Sequence, residues 1–81
     1  MNQTNYKIDA LWDAEAETWV ATSDEVPGLA TEASTLEALA QKLRSMVPEL
    51  LQLNDAIEGK QTSSVTIDIV SRRQEIVQLA A

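Results

Sequence analysis

The stretch STLEALAQKLRSMVPELLQ, residues 34–52, decides the fold. Leu36, Leu39, Ala40, Leu43, Met46, Val47, Leu50 and Leu51 recur at steps of three and four. That spacing traces one apolar stripe along a helix. Glu37, Gln41, Lys42, Arg44, Ser45, Glu49 and Gln52 fill the other positions. Ser34-Thr35-Leu36-Glu37 fits a capping box, in which a serine hydroxyl and a glutamate carboxylate each satisfy a free backbone N–H. Thr35 is the alternative N-cap. Pro48 sits within the stripe and removes one intrahelical hydrogen bond. Because the stripe stays in phase across it, a kink near Arg44 to Val47 is expected in preference to a break.

Upstream of the helix the period changes from helical to alternating. Tyr6, Ile8, Ala10 and Trp12 share one face of a strand and Lys7 and Asp9 the other, with Leu11 breaking the alternation. Asp13-Ala14-Glu15-Ala16-Glu17 is polar and too short to hold a helix, so it reads as a hairpin loop. A second strand follows from Thr18 to Ser23, with Trp19 and Ala21 on one side, antiparallel to the first. Pro27-Gly28 marks a tight turn, since proline fixes φ and glycine permits a positive one. Leu29 to Ala33 is a short third strand.

Downstream, Asn54 to Thr62 reads as a polar linker and Ser64 to Val70 alternates again, with Val65, Ile67 and Ile69 on one face. The tail Gln74 to Ala81 either extends that strand or forms one helical turn. The order is β-β-β-α-β. It predicts an α+β fold, a small antiparallel sheet covered by one helix, in a single domain over residues 1–81.

Composition excludes much chemistry. The chain of 81 residues has no histidine and no cysteine. It therefore lacks the commonest general base, any thiolate, and zinc sites of the Cys/His type. Six basic residues against thirteen acidic give a net charge of −7. Such a surface repels phosphate backbones and steers towards a basic partner. A domain this small buries a modest fraction of its surface, and small domains without disulfides or metals often oligomerise; a homodimer is expected. No apolar run approaches the length of a membrane span, and the polar start lacks a signal-peptide pattern, so a cytoplasmic location is expected.

The carboxylates Asp9, Asp13, Asp24 and Glu25 are the available acid–base groups, but nothing in their spacing marks a pair as special. Ser34 and Thr35 have no base to activate them and are accounted for by capping. No catalytic, cofactor-binding or metal-binding residue is assigned. Trp12 and Trp19 suit a small core or an interface better than a base-stacking platform. Arg72-Arg73 forms a weak basic signal at the end of the last strand.

Trp19-Val20-Ala21-Thr22-Ser23-Asp24-Glu25-Val26-Pro27-Gly28-Leu29, followed by Ser34-Thr35-Leu36-Glu37-Ala38-Leu39, resembles the HicB-like antitoxin superfamily. An aromatic-led strand, a Pro-Gly turn, a short strand and a Thr-Leu-Glu helix start recur there in this order. Within it the chain looks closest to a short bacterial domain-of-unknown-function group, family 1902. The likeness covers roughly residues 6–70. It implies a partial, non-catalytic ribonuclease-H-like fold and an antitoxin that blocks HicA, a small basic toxin cleaving messenger RNA. Trp12, Trp19, Pro27 and Gly28 are then the interaction candidates. The chain departs from full-length HicB proteins, which usually carry a DNA-binding segment after the last strand. Only eleven residues follow Val70, so DNA binding is not expected. A self-associating scaffold domain without a toxin partner is the alternative.

Overall fold

The computed structural model describes residues 5–54 and 64–80. Their elements run β1 (Asn5–Asp13), β2 (Thr18–Thr22), β3 (Ala30–Ala33), α1 (Leu36–Leu53) and β4 (Thr66–Arg72), the order and class read from the sequence. The linker expected over Asn54 to Thr62 lies, from Asp55 onward, outside the described residues.

Among the described residues the strands form one sheet in the order β3-β2-β1-β4. β1 and β2 pair antiparallel, with Ala10 opposite Ala21 and Trp12 opposite Trp19. β2 and β3 are also antiparallel. β4, however, lies parallel to β1, with Ile8 level with Ile69 and Leu11 with Arg72. The sheet is therefore mixed rather than wholly antiparallel. The cause is the crossover: α1 follows β3 and carries the chain back to the starting end of the sheet. The next strand must then run in the direction of β3 and β1.

Two turns hold the meander. In the hairpin loop, Asp13 Oδ1 accepts from the backbone N–H of Glu15 at 3.0 Å and Ala16 at 3.2 Å. Glu17 closes the loop with φ 54. In the second turn Leu29 N–H donates to Val26 C=O at 3.2 Å. Pro27 takes the first central position and Gly28, at φ 80, the second, which is a type II turn.

The helix begins at Thr35, not Ser34. Thr35 is extended (φ −132, ψ 158) and its side chain accepts from Ala38 N–H at 3.0 Å. Its carbonyl already receives the first helical bond, from Leu39 N–H. The residue three beyond the cap is thus Ala38, which has no carboxylate to complete a capping box. Pro48 lies inside α1, which continues to Leu53 as one element. Proline deprives the Arg44 carbonyl of its helical donor. Arg44 lies on the exposed side, open to solvent.

Leu39, Leu43, Val47 and Leu51, at four-residue steps, are buried along α1. They pack on Tyr6, Ile8 and Ala10 of β1, Trp19 and Ala21 of β2, and Ala33 of β3. Val26 and Leu29, on either side of the Pro-Gly turn, close one end of this core. Lys42 Nζ donates to the Glu32 carbonyl at 2.5 Å and ties the helix to β3. The alanines at the sheet centre let the helix approach closely, and no polar or charged side chain is buried among the described residues.

Candidate functional site

The helix covers one face of the sheet. The opposite face carries the other half of each strand: Lys7, Asp9 and Leu11 of β1, Val20 and Thr22 of β2, Asp68, Val70 and Arg72 of β4. An apolar cluster lies on it towards the hairpin end. Leu11 lies opposite Val20 and is 53% exposed, and Val70 on the neighbouring strand is 50% exposed. Leu11, the residue that broke the alternation of β1, is the sequence signal for this patch. Charged residues border it, with Lys7 and Asp9 at 3.9 Å from each other.

Beyond Arg72 the chain leaves the sheet. Residues 73–80 have no regular hydrogen-bonded structure and are exposed throughout. They carry Ile76 (93% exposed), Val77 (78%) and Leu79 (93%). The arm is anchored at its root. Arg73 lies over the Trp12 ring, 4.1 Å from its centroid, and its Nε donates to Glu75 Oε2. Between arm and hairpin runs an open groove of about 440 Å³, lined by Leu11, Trp12, Ala14, Arg72, Gln74 and Ile76. Neither the strand extension nor the helical turn considered for the tail is present over 73–80.

Of the candidates taken from the sequence, Trp12 and Trp19 meet. Their rings stack edge to face, with centroids 5.3 Å apart and planes at 60°. Trp19 is a core residue, while Trp12 is half-buried and forms the groove wall. Pro27 and Gly28 are not with them: they lie in the turn beyond the opposite end of β2. A surface running through all four is thus not formed on one side of the molecule.

Three of the carboxylates have structural partners. Asp13 closes the hairpin, Glu32 Oε2 accepts from the Thr18 hydroxyl at 3.3 Å, and Glu25 holds the free end of β1. There, Lys7 has passed the last residue of β2, and two side chains replace the missing strand. Lys7 N–H donates to Glu25 Oε1 at 2.6 Å, and Lys7 C=O accepts from the Ser23 hydroxyl at 2.6 Å. Ser23 Oγ also accepts from the N–H groups of Glu25 and Val26. Sequence reasoning missed this latch. Its signal was Ser-Asp-Glu immediately before Val-Pro-Gly, a run of acceptors placed where a strand turns away. Among the described residues no three His, Cys, Asp or Glu side chains gather to hold a metal ion. No helix among them is long and apolar enough to cross a membrane.

These features define a small α+β domain, with the helix on one sheet face and an open face of mixed apolar and charged residues on the other. The chain belongs to the family described as Domain of unknown function (DUF1902), whose profile matches residues 5–79. It is also similar to a crystal structure of a hypothetical protein from the extremely thermophilic bacterium Thermus thermophilus. The identity is 44% and the TM-score 0.68, over 93% of this chain and 99% of that one. No curated protein matches the chain.

Proposed function

We propose that this domain is a non-catalytic, cytoplasmic protein-binding module of the HicB antitoxin kind, which holds a small basic HicA-like toxin and stops it cleaving messenger RNA. The observation that carries the reading is the open sheet face, where Leu11 lies beside Val20 with Val70 diagonal to it, among the charged side chains Lys7, Asp9, Asp68 and Arg72. A patch of this composition is the usual anatomy of a protein interface. The net charge of −7 favours a cationic partner and speeds its approach. The motif order from Trp19 to Leu39 supplies the resemblance to antitoxins. The carboxylates occupied in turns and strand ends support a binding role over an acid–base one.

The test is co-expression with a small basic protein encoded beside this chain. A stable complex and relief of that protein's growth arrest are expected, and Leu11→Asp abolishes both while leaving the fold intact. If the purified basic protein shows no binding to the wild-type chain, the toxin reading fails.

A further inference from the structure

The two outer strands of the sheet, β3 and β4, present their backbones differently. Successive residues of a strand turn their N–H and C=O to opposite neighbours. Lys7 turns both groups to the β2 side, where Glu25 and Ser23 meet them. Asp9 and Leu11 therefore face β2, while Tyr6, Ile8 and Ala10 face β4. Carried through the registers, this alternation directs Glu32 of β3 out of the sheet, and Ile67, Ile69 and Ser71 of β4 likewise. On β3 the outward Glu32 carbonyl is already taken by Lys42 Nζ at 2.5 Å. A lysine across an edge of four residues blocks a further strand. β4 has seven residues, and among the described residues nothing caps the outward groups of Ile67, Ile69 or Ser71. α1 crosses on the β2–β3 side, away from this edge, and leaves Ile67 and Ile69 only half-buried.

We infer that the free edge of β4 pairs antiparallel with β4 of a second copy, about a two-fold axis through Val70. The side chains select this occupant. Asp68, Val70 and Arg72 lie on the open face and are exposed, and among the described residues neither Asp68 nor Arg72 makes an ion pair. Opposed residues share a face, so a two-fold axis normal to the sheet must pass through a residue and not between two. Centred on Val70, it sets Val70 against the second copy's Val70, Asp68 against its Arg72, and Arg72 against its Asp68. These are the close, non-hydrogen-bonded positions, where side chains meet best. Ile69 and Ser71 then fall opposite each other, and both already turn their hydrogen-bonding groups outward. Centred on Ile69 instead, the axis would oppose Asp68 to Val70 and leave both charges unmatched. The strand thus holds both halves of each ion pair, in the order Asp-Ile-Val-Ser-Arg. With β3 blocked by Lys42, the contact closes at two copies. It joins two open faces into one surface, and its test uses this chain alone, so it stands or falls separately from the toxin reading.

Sedimentation equilibrium of the full chain tests it, with the wild type expected at twice the chain mass. Asp68→Arg sets arginine against arginine and should weaken association by at least about 10-fold. The same change reduces the net charge from −7 to −5, so diffuse repulsion alone would make association stronger. Arg72→Asp should weaken it likewise, and an equal mixture of the two variants should regain the wild-type affinity as a heterodimer. Both positions are exposed, and circular dichroism should be unchanged. A wild-type chain that stays monomeric up to its solubility limit, an Asp68→Arg chain that associates as well as the wild type, or a mixture no tighter than its components overturns the inference. Val70→Cys, in a chain with no cysteine of its own, should oxidise to a covalent dimer, since the residues on the axis lie within disulfide reach. Failure to cross-link overturns the placement of the axis.

Discussion

β4 and the arm that follows it are made of the same material and meet different fates. β4 carries Ile67, Ile69 and Val70, and the arm carries Ile76, Val77 and Leu79, each set interleaved with polar residues. β1 runs alongside β4 in register from Asn5 opposite Thr66 to Leu11 opposite Arg72. Two residues later β1 turns into the hairpin, and the arm has lost its neighbour. Ile67 and Ile69 consequently pack against the core, while the arm's aliphatics face water. Apolar–polar patterning thus specifies a readiness to pair and leaves the partner to topology. The other end of β1 shows a second solution: when β2 runs out at Lys7, Ser23 supplies the missing donor and Glu25 the missing acceptor.

Substitutions sharpen this contrast. The largest effect belongs to Ile69→Ala, which removes a partly buried side chain packed against the core and should cost about 2 kcal/mol in urea unfolding. An unchanged midpoint would mean that β4 is as loosely held as the arm. Ser23→Ala comes next. It deletes the hydroxyl that serves Lys7 C=O and two turn N–H groups, and about 1 kcal/mol should be lost. Amide exchange should quicken at Glu25 and Val26 before it does at Ala10. Arg73→Ala removes the cation from Trp12 at a partly exposed site, and a loss of about 0.5 kcal/mol is expected with a change in indole emission. Ile76→Ala is the smallest for the isolated fold, within about 0.5 kcal/mol at high dilution.

The fold was legible wherever one side chain's neighbours are set by local period. The stripe Leu39-Leu43-Val47-Leu51 and the alternation Tyr6-Ile8-Ala10 each name the buried face without reference to the rest of the chain. The direction of β4 was not legible in that way. It depends on where α1 delivers the chain, and Thr66–Arg72 reads identically in either orientation. The helix start was displaced by one residue because Ser34 and Thr35 are both competent caps, and which of them is extended is settled by the exit from β3. The candidate site was legible in part. The two tryptophans come together because β1 and β2 are consecutive. Pro27-Gly28, beyond the far end of β2, does not join them. The latch of Ser23 and Glu25 on Lys7 joins residues separated by 16 and 18 positions, a contact that no local window contains.

The edge-to-face tryptophan pair has an optical consequence. The chain contains two tryptophans, and both lie in that one contact. All indole absorption and emission therefore originates at the hairpin end, beside the groove and the root of the arm. Coupling between rings held 5.3 Å apart gives this one spot its own near-ultraviolet signature, lost when the rings separate. The protein carries a built-in probe of whatever settles there, with no label required.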